Sequence, residues 1–101
     1  MGTSKSKRLD ELVVVEIAEG VAGPACTLLL ADLGATVVKV EPPWGDRARE
    51  WGPPMVGDTA AVFCHLNRGK HGVVADLASA DDCARVEALL ARADAVIVHQ
   101  D

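Results

Sequence analysis

Residues able to do chemistry gather at four places along this chain. Gly20 and Gly23, followed by Pro24, make a G-x-x-G-P turn ahead of a helical run, and Glu41 lies 18 residues after Gly23. A helix N-terminus offers free N–H groups and partial positive charge, which suit a phosphate. An acid at about this distance is placed where a dinucleotide fold binds ribose hydroxyls. The full G-x-G-x-x-G is absent, so a plain tight turn and a helix-facing glutamate stand beside the nucleotide reading.

The second place is Asn67-Arg68-Gly69-Lys70-His71, the basic cluster of the body. It either meets a phosphate or faces water, the default for exposed charge. The third is Cys64-His65 with His71 and His99. Adjacent helical residues point about 100° apart, and no H-x₃-H or C-x₂-C spacing occurs, so a core thiol and surface imidazoles are expected rather than a metal site. The fourth is Trp44 and Trp51, which either stack on a ligand or pin a loop onto the sheet.

Certain elements must position these groups. Leu12 to Ile17 is short and β-branched, as a strand buried on both faces should be. Pro24 reads as the first residue of a helix over 24–33 that is apolar nearly all round, hence buried, and that stops at Gly34. Strands follow at 36–41, 72–76 and 95–99. Residues 42–58, with Pro42, Pro43, Pro53, Pro54 and both tryptophans, read as a long loop. Thr59 to Leu66 makes a short helix and 67–70 a turn. Ser79 caps a helix over 80–92 whose inner face carries Cys83, Val86, Leu90 and Ala93, with Asp82 in the capping-box position. Strands alternating with helices predict an α/β fold, a Rossmann-like parallel sheet of about four strands with flanking helices.

The 101 residues fit one small body, half apolar and a quarter charged, which excludes disordered and low-complexity classes. No apolar run approaches the ~20 residues of a membrane span. Residues 10–101 hold seven basic against fifteen acidic groups, a net −8. That balance argues against nucleic acid as a partner. Three scattered cysteines, Cys26, Cys64 and Cys83, read as reduced core thiols in a cytoplasmic protein. Residues 1–8 read as a disordered polar leader, although Met1 to Ser6 also fits the loose M-G-x-x-x-[ST] acylation pattern.

The ordered set Ala22-Gly23-Pro24, Leu30-Ala31-Asp32-Leu33-Gly34-Ala35, Val37-Val-Lys-Val-Glu41-Pro42-Pro43, Gly45-Asp46, Gly52-Pro53-Pro54, Leu66-Asn67-Arg68-Gly69-Lys70, Asp76-Leu77 and Ala93-Asp94 resembles the family III CoA-transferases. That group includes formyl-CoA and carnitine CoA-transferases and α-methylacyl-CoA racemases. The resemblance covers residues 9 to about 100, and reads the chain as the N-terminal segment of a protein roughly four times longer. It implies acyl-CoA as the ligand, no metal, and a homodimer or higher oligomer of interlocked subunits. It also implies a catalytic aspartate downstream of residue 101, which takes the acyl group covalently in the transferases and helps move an α-proton in the racemases. None of the present residues has the catalytic role.

The CoA-contacting positions implied by the resemblance are Val21 and Ala22, Pro42, Ala75, Asp76, Leu77 and Ala78, and His99 with Gln100. Many relatives carry a cation where Pro42 stands, and some a lysine at Ala78. The fourth strand ends Val98-His99-Gln100 rather than in an E-N-F type sequence. Weak CoA binding and no turnover by the chain alone are therefore expected. Two other readings stay open: a nucleotide-binding module built on Gly23 and Glu41, and a non-catalytic copy kept for structure or dimerisation. Arg68 and Lys70 facing the strand ends would favour the CoA reading.

Overall fold

The computed structural model describes residues 7–99. The acylation pattern at 1–6 and the implied ligand contact Gln100 lie outside the described residues. Within the expected leader, Lys7 pairs with Asp94 at 2.6 Å, and the other Asp94 oxygen accepts the Val13 N–H that opens the first strand.

In chain order the elements are β1 (Val13–Ile17), α1 (Ala22–Asp32), β2 (Thr36–Glu41), the short strands β3 (Met55–Val56) and β4 (Thr59–Ala60), α2 (Ala61–Leu66), β5 (His71–Val74), α3 (Ala80–Leu90) and β6 (Ala95–Val98). The sheet runs β5-β2-β1-β6, and every pairing is parallel. The α/β expectation therefore holds, with strand boundaries within two residues. The chain leaves β1 in one direction through β2 to β5, then returns to β6 on the other side. The order thus reverses between β1 and β6, the place where open α/β sheets keep a crevice beyond the carboxyl ends of their strands.

Both faces of β1 are covered, as its β-branched run requires. Val14 joins Ala35, Val37, Leu30 and Ala31 on the α1 side, while Val15 joins Val40, Ala75, Val86, Leu89 and Leu90 on the α3 side. Val14, Val15 and Val37 are at most 1 % exposed, and such side chains stabilise by about 1.5–3 kcal/mol each. The same face that carries Val14 and Val37 also carries Glu16 and Lys39, paired side by side in the register of β1 and β2.

Four expectations need correction. Pro24 is the third residue of α1, not the first; a missing N–H costs nothing there, because the first four helical donors have no intrahelical partner. Helix α1 is not buried all round, since Leu29 and Leu33 are 65 % and 61 % exposed. The cysteines are not core thiols: Cys26 and Cys64 are exposed and Cys83 is half-buried. The stretch 42–58 is not a plain loop, because residues Arg47–Glu50 form a 3-10 turn and β3 and β4 pair antiparallel around Gly57-Asp58. Gly57 there has φ +63°, as the first position of a tight hairpin turn demands.

Gly34 does end α1. It adopts φ +109°, while the Gly34 N–H reaches the Ala31 carbonyl and the Ala35 N–H the Leu30 carbonyl. This double closure is a Schellman motif, which needs a residue tolerant of positive φ.

Candidate functional site

A cleft of about 230 Å³ opens at the carboxyl ends of the four parallel strands. Ile17 at the end of β1 with Ala18 and Glu19 beyond it, Val40 of β2 with Pro42 and Trp44 beyond it, Ala75 and Leu77 beyond β5, and His99 beyond β6 line it. Of the positions implied by the resemblance, Pro42, Ala75, Leu77 and His99 thus come together. Val21 and Ala22 stand at the adjacent start of α1, both exposed. Ala78 is exposed, and its N–H donates to the Asp76 carboxylate at 2.9 Å. That carboxylate shapes its own turn. Glu19, Trp44 and His99 are shared with a larger polar depression of about 930 Å³, bordered by Arg47, Arg49, Glu50 and Asp58.

The turn between β1 and α1 rests on buried charge. Lys39 Nζ lies 2.8 Å from Glu16 and 2.8 Å from Asp46, and donates to the Ala18 carbonyl at 2.9 Å. Lys70 Nζ meets the other Glu16 oxygen at 2.8 Å, the Pro24 carbonyl at 3.0 Å and Asn67 Oδ1 at 2.8 Å. The Thr27 hydroxyl also donates to Glu16. Asp46 Oδ1 in turn accepts the N–H groups of Gly20 and Ala48, at 3.1 and 2.8 Å. Burial pushes the Asp46 carboxyl up, but Lys39 and those two amides outweigh it, so the group titrates below its ordinary value. Burial lowers Lys70, against the opposing pull of Glu16.

Glu41 is not available to a ribose. Arg49 donates to both its oxygens at 2.8 Å, and the Asp46 N–H donates to Oε2 at 2.8 Å. Burial raises this carboxyl, yet Arg49 and the Asp46 amide bring it below its usual range. The Arg49 guanidinium also sits 4.0 Å over the Phe63 ring. The glutamate end of β2 is therefore a fastening point for the segment that follows.

The two cations of the basic cluster are engaged within the fold, and Lys70 does not face water. Arg68 pairs with Asp32 at 2.8 Å, and the Lys70 side chain is 2 % exposed. Neither residue lies along the strand-end cleft, contrary to the arrangement expected for the CoA reading. The two tryptophans divide their roles. Trp44 is 79 % exposed on the cleft rim, whereas Trp51 lies so close to Gly20 that a Cβ there would be 3.3 Å from its ring. Among the described residues, no group of three His, Cys, Asp or Glu side chains converges as metal ligands would. Nor is any helix among them long and apolar enough to cross a membrane.

Sequence reasoning missed Glu16, Lys39 and Asp46 as a unit. The available signal was one charge inside each of two otherwise β-branched runs, Val-Val-Val-Glu-Ile and Val-Val-Lys-Val. A charge on a strand buried on both faces must find a partner.

Comparison with known proteins places this geometry. The model of CoA-transferase family III matches residues 9–100. Over 96 residues the chain is 45 % identical to a succinate–glutarate CoA-transferase of Agrobacterium fabrum, covering 88 % of this chain and 24 % of that protein. It is 44 % identical over 94 residues to a succinyl-CoA:mesaconate CoA-transferase of Haloarcula hispanica, again covering 88 % and 24 %. A CAIB/BAIF family protein from Brucella suis superposes with a TM-score of 0.82 at 45 % identity, over 91 % of this chain and 25 % of that one. The chain thus spans about a quarter of the length of the curated relatives it matches.

Proposed function

Because this chain belongs to CoA-transferase family III, we propose that it is the N-terminal, CoA-binding segment of a longer CoA-transferase. Residues 9–101 form that segment, and the cleft at the carboxyl ends of the parallel strands takes the CoA moiety of an acyl-CoA. One observation carries this reading: Pro42, Ala75, Leu77 and His99, implied by the family resemblance as ligand contacts, line one cleft beside the β1/β6 reversal. Val21, Ala22, Asp76, Ala78 and Gln100 complete the proposed contact set.

The start of α1 suits the anionic end of such a ligand. No side chain caps it, so first-turn amides and the helix dipole remain for a phosphate or thioester oxygen. Transfer is favoured over racemisation because the relatives compared are named as CoA-transferases, with succinate, glutarate and mesaconate in their names. We extend that to dicarboxylic acyl groups for the whole protein, with the reacting carboxylate outside these residues. A cytoplasmic setting suits the free thiols. The exposed Leu29 and Leu33 suit a homodimer or higher oligomer. The nucleotide-binding reading loses its main support, since Glu41 is held by Arg49.

Affinity should be low. Pro42 and Ala78 supply no cation, and Arg68 and Lys70 are held elsewhere. Two absent charge-assisted contacts, about 1.5–3 kcal/mol each, weaken binding by about two to four decades. Calorimetric titration of CoA into the chain should give a Kd near ~1 mM, with no acetyl-CoA exchange. A Kd below ~10 μM, or turnover abolished by a change within these residues, would overturn the placement of the site.

A further inference from the structure

Two lysines and two carboxylates in a core this small call for a reason, because a buried ion pair is often no more stable than apolar residues of the same volume. Glu16, Lys39 and Asp46 are 0 %, 2 % and 1 % exposed, and the Lys70 side chain 2 %. Each ammonium has three oxygens within 3.0 Å; Lys70 hydrogen-bonds all three, whereas Lys39 meets Asp46 Oδ2 as an ion pair without an aligned hydrogen bond. The geometric result is specific. Lys39 holds the Ala18 carbonyl, Asp46 holds the Gly20 N–H, and Lys70 holds the Pro24 carbonyl. Two backbone points of the turn and one in the first turn of α1 are thus bound by a cluster whose members converge on Glu16 and Lys39.

We propose that Glu16, Lys39, Asp46 and Lys70 are positioning residues, which fix the conformation of the β1–α1 turn so that Val21, Ala22 and the first amides of α1 meet the ligand. This rests on the reading of the strand-end cleft as the CoA site. Apolar residues would fill the same volume but have no direction, and so would leave Gly20, at φ +83°, free to sample other conformations. Hydrogen bonds from charged groups to the backbone are directional and strong in a dry site. Asp46 has a second effect. It follows Pro42 and Trp44, which line the cleft, so its bond to Gly20 also ties the segment after β2 to the β1–α1 turn. None of the four need touch the ligand.

The test compares Asp46→Ala with Asp46→Asn in the chain, by CoA titration and by amide hydrogen exchange. Asn keeps an acceptor for the Gly20 and Ala48 amides but turns its NH2 toward the Lys39 ammonium; Ala removes the acceptor as well. Asp46→Ala should lower CoA affinity at least tenfold and raise Gly20 exchange at least tenfold, with β1 and β2 amides still protected. Asp46→Asn should recover only part of both losses, because its NH2 opposes the buried Lys39 ammonium. If Asp46→Ala does not fold, Lys70→Met repeats the test from the other end of the turn. It leaves Glu16 paired with Lys39 and Thr27, and should weaken CoA binding at least threefold with sheet protection intact. The proposal is overturned if folded variants bind CoA and exchange Gly20 as the parent does, or if β1 and β2 amides lose protection as much as Gly20 does. Should the parent bind no CoA, the site reading fails while Gly20 exchange still decides the positioning role.

Discussion

The Arg49 guanidinium grips Glu41 at two points, Nε and Nη2 each 2.8 Å from a different carboxylate oxygen. The pair forms where β2 ends, so it fastens the segment 42–51 back onto the strand that precedes it. It also occupies the one acid whose spacing from Gly23 suggested a ribose contact. NAD in excess should therefore leave the amide spectrum of the strand ends unchanged under conditions where CoA shifts it. Equal shifts with NAD would restore the nucleotide-binding reading.

Removing Arg49 should cost more than an ordinary surface ion pair. Arg49→Ala leaves Glu41, 7 % exposed, without its bidentate partner and strips the nearer of two cations from the Phe63 ring. Breaking a buried pair costs about 3–5 kcal/mol. Because the Arg49 side chain is 41 % exposed, water screens part of this, and about 1–3 kcal/mol is expected from urea unfolding. A loss below ~0.5 kcal/mol would mean the pair holds nothing.

Stability should depend on pH on the acid side. Glu41 and Asp46 both titrate below their ordinary values in the folded chain, so the unfolded chain binds their protons more tightly. Their contribution is fully present above the unfolded carboxylate range, about pH 4–4.5, and is lost as pH falls through the folded values. Thermal midpoints should be flat from neutrality to about pH 5 and drop below about pH 4. In Glu41→Gln the drop should be shallower. A midpoint independent of pH between about 5 and 3 would contradict the network.

Gly23 is a packing requirement as well as a turn residue. A Cβ at this position would lie 2.5 Å from Ala18 Cβ, closer than atoms pack. Gly23→Ala must push α1 away from the end of β1, at about 1–3 kcal/mol, and should weaken CoA binding with it. A neutral effect in chemical denaturation would show that the two elements have slack.

The fold was largely legible because it rests on local signals. The β-branched runs, Gly34 and Ser79 each mark a boundary with a mechanism, and Ser79 does accept the Asp82 N–H. Asp82, expected to complete the capping box, instead accepts the Asp76 N–H at 2.8 Å, since that donor lies nearer once the turn has formed. The charged cluster was less legible. Glu16, Lys39, Asp46 and Lys70 are far apart in sequence, and their partnership depends on the register of β1 against β2, which no local pattern specifies. The exposure of Leu29, Leu33 and the cysteines was misread for a related reason: an apolar helix reveals its hydrophobicity, but not how much of it the rest of the fold covers.

That bare apolar surface has a consequence in solution. With Leu29 and Leu33 exposed on α1 and Val96 and Val98 on β6, at 65 %, 61 %, 42 % and 56 %, the chain should self-associate. Sedimentation at ~100 μM should show a dimer or larger species. A single monomeric species would count against the oligomer.

The central claim, that CoA enters at the carboxyl ends of the parallel strands, is tested most directly by following backbone amides while CoA is added. Shifts should cluster at Val21, Ala22, Ala75, Asp76, Leu77, Ala78 and His99, with the amino-terminal ends of the same strands, Val13, Thr36 and His71, unmoved. Shifts confined to those opposite ends, or to the exposed faces of α1 and α3, would contradict it.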